Sequence, residues 1–402
     1  MTTENGTEST VSSVPWDSST LYIILASSLM GVMGVSLISP ILPELRVVFE
    51  VSDAQIGLII TVYTLPGIFL TPFLGLIADR IGRRRVMIPL LLAFGAGGAG
   101  IAFASTFVEV LLFRFVQGVG ASALVTLAVT LIGDFYDGQR QNAVMGVNSS
   151  MIGTGAALYP LIGGALAGIR WNAPFLFFGI GILVGIVAVF VLPEPEGRQA
   201  SDVATYLGRL RAVAVDPQAM AIFAAIFVIF FVFYGAVQTA LPLLLSDEFA
   251  LTSGEIGVIL AMVALASAVV SSQYGRISNW RSPTELVALG FIAYGFSLLG
   301  VWISPSPVAV GLSLLAFGVG FGIVMPSIDT TMITLVSERL RAGMMGLRTS
   351  VLRLGQTLGP ISFTYLAETV FASTVAGYRV LIVVFGALVL CSGLVAYPLL
   401  RR

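Results

Sequence analysis

These 402 residues predict an all-α membrane protein with twelve transmembrane helices in two pseudo-symmetric six-helix bundles. Three observations carry that expectation. Hydrophobic residues make up 57% of the chain and charged ones 10%, against about 25% charged in ordinary soluble domains, so most of the chain is built for lipid. Twelve apolar stretches reach the roughly 20 residues that a bilayer-spanning helix needs. Finally, one pattern recurs at a constant offset of 200 residues without a gap. Ile56-Gly57 falls on Ile256-Gly257, Gly75 on Gly275, Gly118 and Gly120 on Gly318 and Gly320, Gly146 on Gly346, Gly155 on Gly355, and Pro160 on Pro360.

The first 18 residues are polar, with Glu4, Glu8, Asp17 and no cation. They read as a disordered tail, and not as a secretory signal, because no small-residue cleavage site follows the first apolar run. The first bundle, 19–192, holds spans at 19–39, 56–77, 86–104, 109–133, 143–166 and 174–192. A linker at 193–218 opens on Pro193-Glu194-Pro195-Glu196 and closes on Asp216-Pro217, and it is longer than any other connection. Within it Tyr206 to Val213 suits either a short helix on the membrane surface or a solvated loop. The second bundle, 219–402, holds spans at 219–243, 255–274, 285–303, 307–333, 346–369 and 378–400.

Topology follows from the arginines, since short cytoplasmic loops collect positive charge. All twenty basic residues are Arg. Fourteen lie in even-numbered loops or the C-terminal tail, while Arg46, Arg170 and Arg379 lie on the other side, so both termini are expected in the cytoplasm of a multi-pass cell membrane. The chain has no His, no Lys and one cysteine, Cys391. Thiol or His-metal chemistry and disulfides lack material, and without Lys there is no P-loop. No metal, cofactor or nucleic acid is therefore expected, and uphill work would draw on a gradient.

The loop after span 2 reads Gly75-Leu-Ile-Ala-Asp79-Arg80-Ile-Gly82-Arg83-Arg84-Arg85. This segment resembles the Gly-x-x-x-Asp-Arg-x-Gly-Arg-Arg signature of the major facilitator superfamily, and the likeness extends over essentially the whole chain. Gly75 suits close approach to a neighbouring helix, and Gly82 suits a tight turn. The resemblance implies that Asp79 faces the N-terminus of span 11, near Met345-Gly346, and latches the halves in an outward-facing state. It also implies that Arg83 pairs with an acid at the end of span 4, Asp134 or else Asp137. The second copy, Gly275-Arg276-Ile277-Ser278-Asn279, has lost its acid.

Span 4 holds Arg114-Phe-Val-Gln117-Gly118-Val-Gly120, which is similar to the family's second motif. The resemblance gives Arg114 a part in proton coupling; the alternative is an anchor on backbone carbonyls or Glu109. Span 5 carries Gly146, Gly155, Tyr159, Pro160, Gly163 and Gly164. That series looks like the motif of the antiporter branches, departing from it at Tyr159, while the plain physical alternative is small-residue helix packing. In spans 10 and 11, Asp329 and Arg348 fall at similar depth and are read as an ion pair, which would make Asp329 a poor proton carrier; an unpaired Asp329 in a cavity would be the natural one. Arg353 is a candidate for coupling or substrate contact.

In this superfamily spans 1, 4, 7 and 10 line the cavity. The residues available there are Met30, Met33, Ser36, Gln117, Phe227, Phe231, Tyr234, Gln238, Phe321 and Met325, with Gln356 reaching in from span 11. Thioethers and aromatics adapt to varied apolar shapes. The expectation is a monomeric alternating-access transporter that exports hydrophobic or amphipathic small molecules against protons or another ion, two equivalent halves rocking about one site. A metabolite or sugar carrier is the rival within transport, and a non-transporting membrane sensor the rival outside it.

Overall fold

The computed structural model describes residues 14–195, 208, 211, 217–335 and 338–400, and every regular element among them is helical. Eleven helices are long and apolar enough to cross a membrane. They are α1 (Ser19–Val48), α2 (Asp53–Ile81), α3 (Arg83–Phe103), α4 (Phe107–Phe135), α5 (Gly138–Ala167), α6 (Ala173–Val191), α7 (Ala219–Phe249), α8 (Ser253–Ser272), α9 (Pro283–Ile303), α10 (Pro307–Met332) and α12 (Thr374–Tyr397). Between the last two lies α11 (Glu338–Val370), which is 33 residues long and more polar.

The duplication read from the sequence recurs in the packing. A Cβ built on Gly118 would lie 2.1 Å from the Tyr63 carbonyl oxygen, and one on Gly318 would lie 2.4 Å from that of Val263. Gly120 abuts Leu90 and Phe94, whereas Gly320 abuts Gly290 and Tyr294. Both neighbours keep the same offset as the glycines, so the two halves use the same positions for closest helix approach, where only a hydrogen fits. Helix starts repeat as well. Ser52 and Thr252 each cap with a reciprocal glutamine or glutamate three residues on, and Thr106 and Ser306 each accept a backbone N–H at N3. Such caps satisfy N–H groups that lipid cannot.

One face of the bundle carries Arg80, Arg83, Arg84, Arg85, Arg140, Arg276 and Arg281; the other carries Arg46, Arg170 and Arg379. The halves meet along α2 with α11 and along α5 with α8. Position 57 packs on 364 in the first seam, and position 257 packs on Pro160 in the second. All of these lie toward the arginine-poor face.

Several boundaries differ from the sequence reading. Residues 14–18 form a turn tied to α1, with the Tyr22 hydroxyl donating to the Trp16 carbonyl at 2.9 Å. The tail before them lies outside the described residues, as does the linker except for 193–195, Gly208, Arg211 and Pro217 onward. The first span continues past its break at Leu37-Ile38 through a short turn, Ser39–Ile41, and the helix Leu42–Val48. The start of α11 is Glu338, so Met345-Gly346 sits two turns inside the helix and is no N-terminus.

Candidate functional site

The interior of the bundle is polar at one level. Arg114 of α4 is fully buried, yet Glu109 is no partner, because that carboxylate accepts the Ser105 and Thr106 backbone N–H groups at the helix start. Instead Arg114 Nη1 donates to the Gly34 carbonyl (2.9 Å) and to Gln117 Oε1 (2.8 Å). Its guanidinium lies 5.1 Å from the Tyr63 ring centroid, within cation–π range. Gly34 lies one turn before the break in α1. The N–H of Ile38, which would ordinarily reach Gly34, turns to Val35, and the guanidinium takes the carbonyl so released. On the other side of the seam, Arg353 Nη1 donates to Gln356 Oε1 at 3.0 Å, and its stem lies against Gly67, one turn along α2 from Tyr63.

Around this level the predicted cavity residues divide. Met30, Met33, Gln117, Gln238 and Gln356 are buried, whereas Ser36, Tyr234, Phe321 and Met325 are partly accessible. Phe227 and Phe231 do not form one stripe with Tyr234. Phe231 packs on Phe363 and Phe385 of α11 and α12, with the tilted ring of Phe227 beside it. Phe230, Phe233 and Tyr234 face Phe321 of α10 instead. The split arises within regular α-helix, before the π-helical segment Phe233–Ala240: at about 100° per residue, the neighbours Phe230 and Phe231 project toward different helices.

At the arginine-rich face, Arg83 meets Asp134 and lies 3.3 Å from Asp79. Sequence reasoning missed Glu194, whose Oε1 accepts the Arg83 backbone N–H at 2.6 Å and so caps α3. Gly82, at φ 114°, is needed there, since a Cβ would lie 2.5 Å from the Glu194 carboxylate. Gly75 and Gly146, expected to serve close helix contact, have open space around them, and so does Gly275. The expected docking of Asp79 on an α11 terminus at Met345-Gly346 is likewise not seen. Among the described residues, no hydrogen bond or ion pair joins the two halves at these positions. Deeper on the same side, Arg348 Nη2 stands 2.8 Å from Asp329 Oδ1. We therefore expect Asp329→Asn to keep coupled transport in vesicles; loss of coupling with substrate binding intact would assign the proton to Asp329.

The arginine-poor face is closed by residues that the sequence reading did not single out. Arg46 pairs with Asp53 (2.5 Å) and with Asp247 across the seam, and the Tyr378 hydroxyl donates to Asp53 at 2.8 Å. Ser39 donates to the Gln238 carbonyl (2.6 Å), and the Ala54 N–H donates to Glu368 (2.6 Å). Thr61 and Thr64 bond Thr357 at 3.0 and 2.9 Å. Of the antiporter-like residues, Gly164 and Pro160 belong to this closure, Gly164 abutting the Ser253 carbonyl of the other half and Pro160 the backbone of Gly257, while Gly163 abuts the Leu37 carbonyl and Gly155 abuts Leu29 within the first half, and Tyr159 is buried. The one signal available was acids placed just after apolar runs on the arginine-poor side.

A family model described as Major Facilitator Superfamily matches residues 24–360 and 229–402. The bacillibactin exporter of Bacillus subtilis (strain 168) is 28% identical over 364 residues, 86% of this chain and 89% of that protein. The class E tetracycline resistance protein of Escherichia coli is 28% identical over 360 residues, 86% of this chain and 87% of that protein. Among solved structures, a bacterial homolog of the human lysosomal transporter Spinster, in its inward-facing and unoccupied conformation, aligns with a TM-score of 0.78 at 17% identity, covering 96% of this chain and 98% of that one.

Proposed function

Because the chain belongs to the Major Facilitator Superfamily, we propose that it exports hydrophobic or amphipathic small molecules in exchange for protons, by alternating access. One observation carries this reading. The halves are bonded together at the arginine-poor face, whereas at the arginine-rich face Gly75 and Gly146 have open space around them, and between these lies an interior level holding Arg114, Tyr63, Arg353 and an aromatic wall. Rocking about that level exchanges the sealed side. With the arginine-rich face in the cytoplasm, the conformation seen is open inward, where an exporter loads. We place the protein in the cell membrane as a monomer with both termini cytoplasmic. Named relatives that confer tetracycline resistance or export bacillibactin support the direction of transport.

Asp79 keeps its role as latch in this reading. In the outward-facing state it would meet the start of α11, where a carboxylate at a helix N-terminus contributes about 0.3–1 kcal/mol, little enough to be undone each cycle. The test is a growth-inhibition panel of diverse toxic compounds in a host lacking its own efflux pumps. We expect severalfold protection against a subset, and its disappearance with Asp79→Ala at equal membrane abundance. In vesicles with an acid-loaded lumen, adding a protected compound should alkalinise the lumen. No protection against any compound would end the export reading, and export without proton movement would end the coupling.

A further inference from the structure

The charges inside the bundle do not balance. Among the arginines whose side chains are described, which leaves out Arg339 and Arg341, the four residues Arg46, Arg83, Arg348 and Arg379 each have a carboxylate partner. Arg80, Arg85, Arg140, Arg170, Arg211, Arg276 and Arg281 are exposed, and Arg84 bonds the Val189 carbonyl at the arginine-rich face. Arg114 and Arg353 remain: they lie within the spans, and neither has a carboxylate within 4.0 Å among the described residues. A cation in that position is costly unless something offsets it.

The polar atoms left unpaired around them share one character. Arg114 Nε and Nη2, Gln117 Nε2 and Arg353 Nε are buried N–H donors without an acceptor, and the Tyr63 hydroxyl is also unpartnered. Tyr63 is 97% shielded from solvent. Its hydroxyl reaches Gly34, whose carbonyl Arg114 holds, and Arg353 is within electrostatic reach of both Tyr63 and Tyr234. Arg353 is only half-buried, with its stem against Gly67 of the other half; Arg114 lies behind the Tyr63 ring. Beyond Tyr234 stands the Phe230, Phe233 and Phe321 wall. A buried cluster of unpaired donors and positive charge beside an aromatic wall selects a negatively charged acceptor on an apolar body once side chains part to admit it.

We propose that this level is a substrate site for amphipathic organic anions, in which Arg353 and the Tyr63 hydroxyl hold the anionic group, Arg114 adds its field from behind Tyr63, and the phenylalanines take the apolar body. The proposal rests on the transport reading and narrows its substrate class. It excludes cations as preferred cargo. Outward passage of such an anion also runs down an inside-negative potential and adds to the proton gradient.

The test uses the purified full chain in detergent and two probes with one body, dansylglycine and its neutral amide, dansylglycinamide, followed by fluorescence polarisation with protein-free micelles subtracted. The carboxylate should bind at least about tenfold more tightly than the amide. Arg353→Gln should abolish that preference, bringing the two probes to equal affinity, Arg353→Lys should keep most of it, and Tyr63→Phe should reduce it severalfold. Equal binding of the two probes, no saturable carboxylate binding up to about 1 mM, or a preference that survives Arg353→Gln each overturns the proposal. A growth panel showing export of cations or neutral compounds alone would leave the transport reading standing and overturn the anion site. Carboxylate-selective binding without any export would do the reverse.

Discussion

Gly164→Val should leave the protein inserted in the membrane but unable to close its arginine-poor face, with transport reduced at least about a hundredfold. A Cβ on Gly164 would lie 2.3 Å from the Ser253 carbonyl oxygen and 2.9 Å from the Gly254 Cα. Both obstacles are backbone, so no rotamer change relieves them, and α5 and α8 must part. Within one bundle such a clash would strain the fold. Across the seam, however, the halves have a second arrangement in which this contact is absent on the proposed cycle, and the substitution biases the equilibrium toward it. A shift of about 3 kcal/mol moves the ratio of the two states by more than a hundredfold. Gly257→Val, whose Cβ would lie 2.3 Å from the Pro160 carbonyl oxygen, should act alike. Gly146→Val, which has open space around it, should leave this face closed. The reporter is Ser39→Cys in a Cys391→Ser background, since Ser39 is fully buried at the closure against Gln238. An impermeant maleimide added from the arginine-poor side should label it slowly in the parent and at least about tenfold faster with Gly164→Val. Unchanged labelling alongside retained transport would show that the α5–α8 contact is not what seals the protein.

The duplication made the fold legible. Glycines at one offset mark positions where two helices touch backbone to backbone, so Gly118 and Gly318 could be matched without knowing what either touches; their neighbours, Tyr63 and Val263, keep that offset. Two ion pairs were legible too, by different routes: Arg348 with Asp329 from the depth and order of the spans, and Arg83 with Asp134 from the resemblance, which also left Asp137 open. Contacts between halves were not legible, because nothing local relates Arg46 to Asp247 or Ser39 to Gln238. Those pairings depend on which face is shut, and a sequence encodes both states at once. Gly75 and Gly146 show the other side of the same fact: glycines fit for close contact, in open space here. Phe227, Phe231 and Tyr234 illustrate a different point: residues at helical spacing can still meet different neighbours, Phe231 reaching Phe363 and Phe385 while Tyr234 meets Phe230 and Phe233.

Arg114→Ala should abolish transport to a similar degree, and for a reason that begins with the backbone of α1. Between Leu37 and Ile41 the helix tightens and breaks ahead of Pro40, and the Ile38 N–H bonds Val35 in place of Gly34. The Gly34 carbonyl then has no bond from the helix, in a place closed to water, and the Arg114 guanidinium supplies one at 2.9 Å. A cation is suited to that spot because it also meets the negative end of the upstream helical segment. Truncation strands the Gly34 carbonyl and Gln117 Oε1 together, each costing about 1–3 kcal/mol when buried and unpaired, and it removes the cation from the Tyr63 ring. Spread over a transport barrier, such a loss is on the order of a hundredfold in rate. Arg114→Lys separates anchoring from charge: an ammonium keeps the charge and can reach one acceptor, but it lacks the planar fork that serves two. Initial export rates in vesicles should therefore recover to no more than about a tenth of the parent with Lys. Full recovery would mean that charge alone matters at this position, and full activity of the Ala variant would mean that the break in α1 is held by something else.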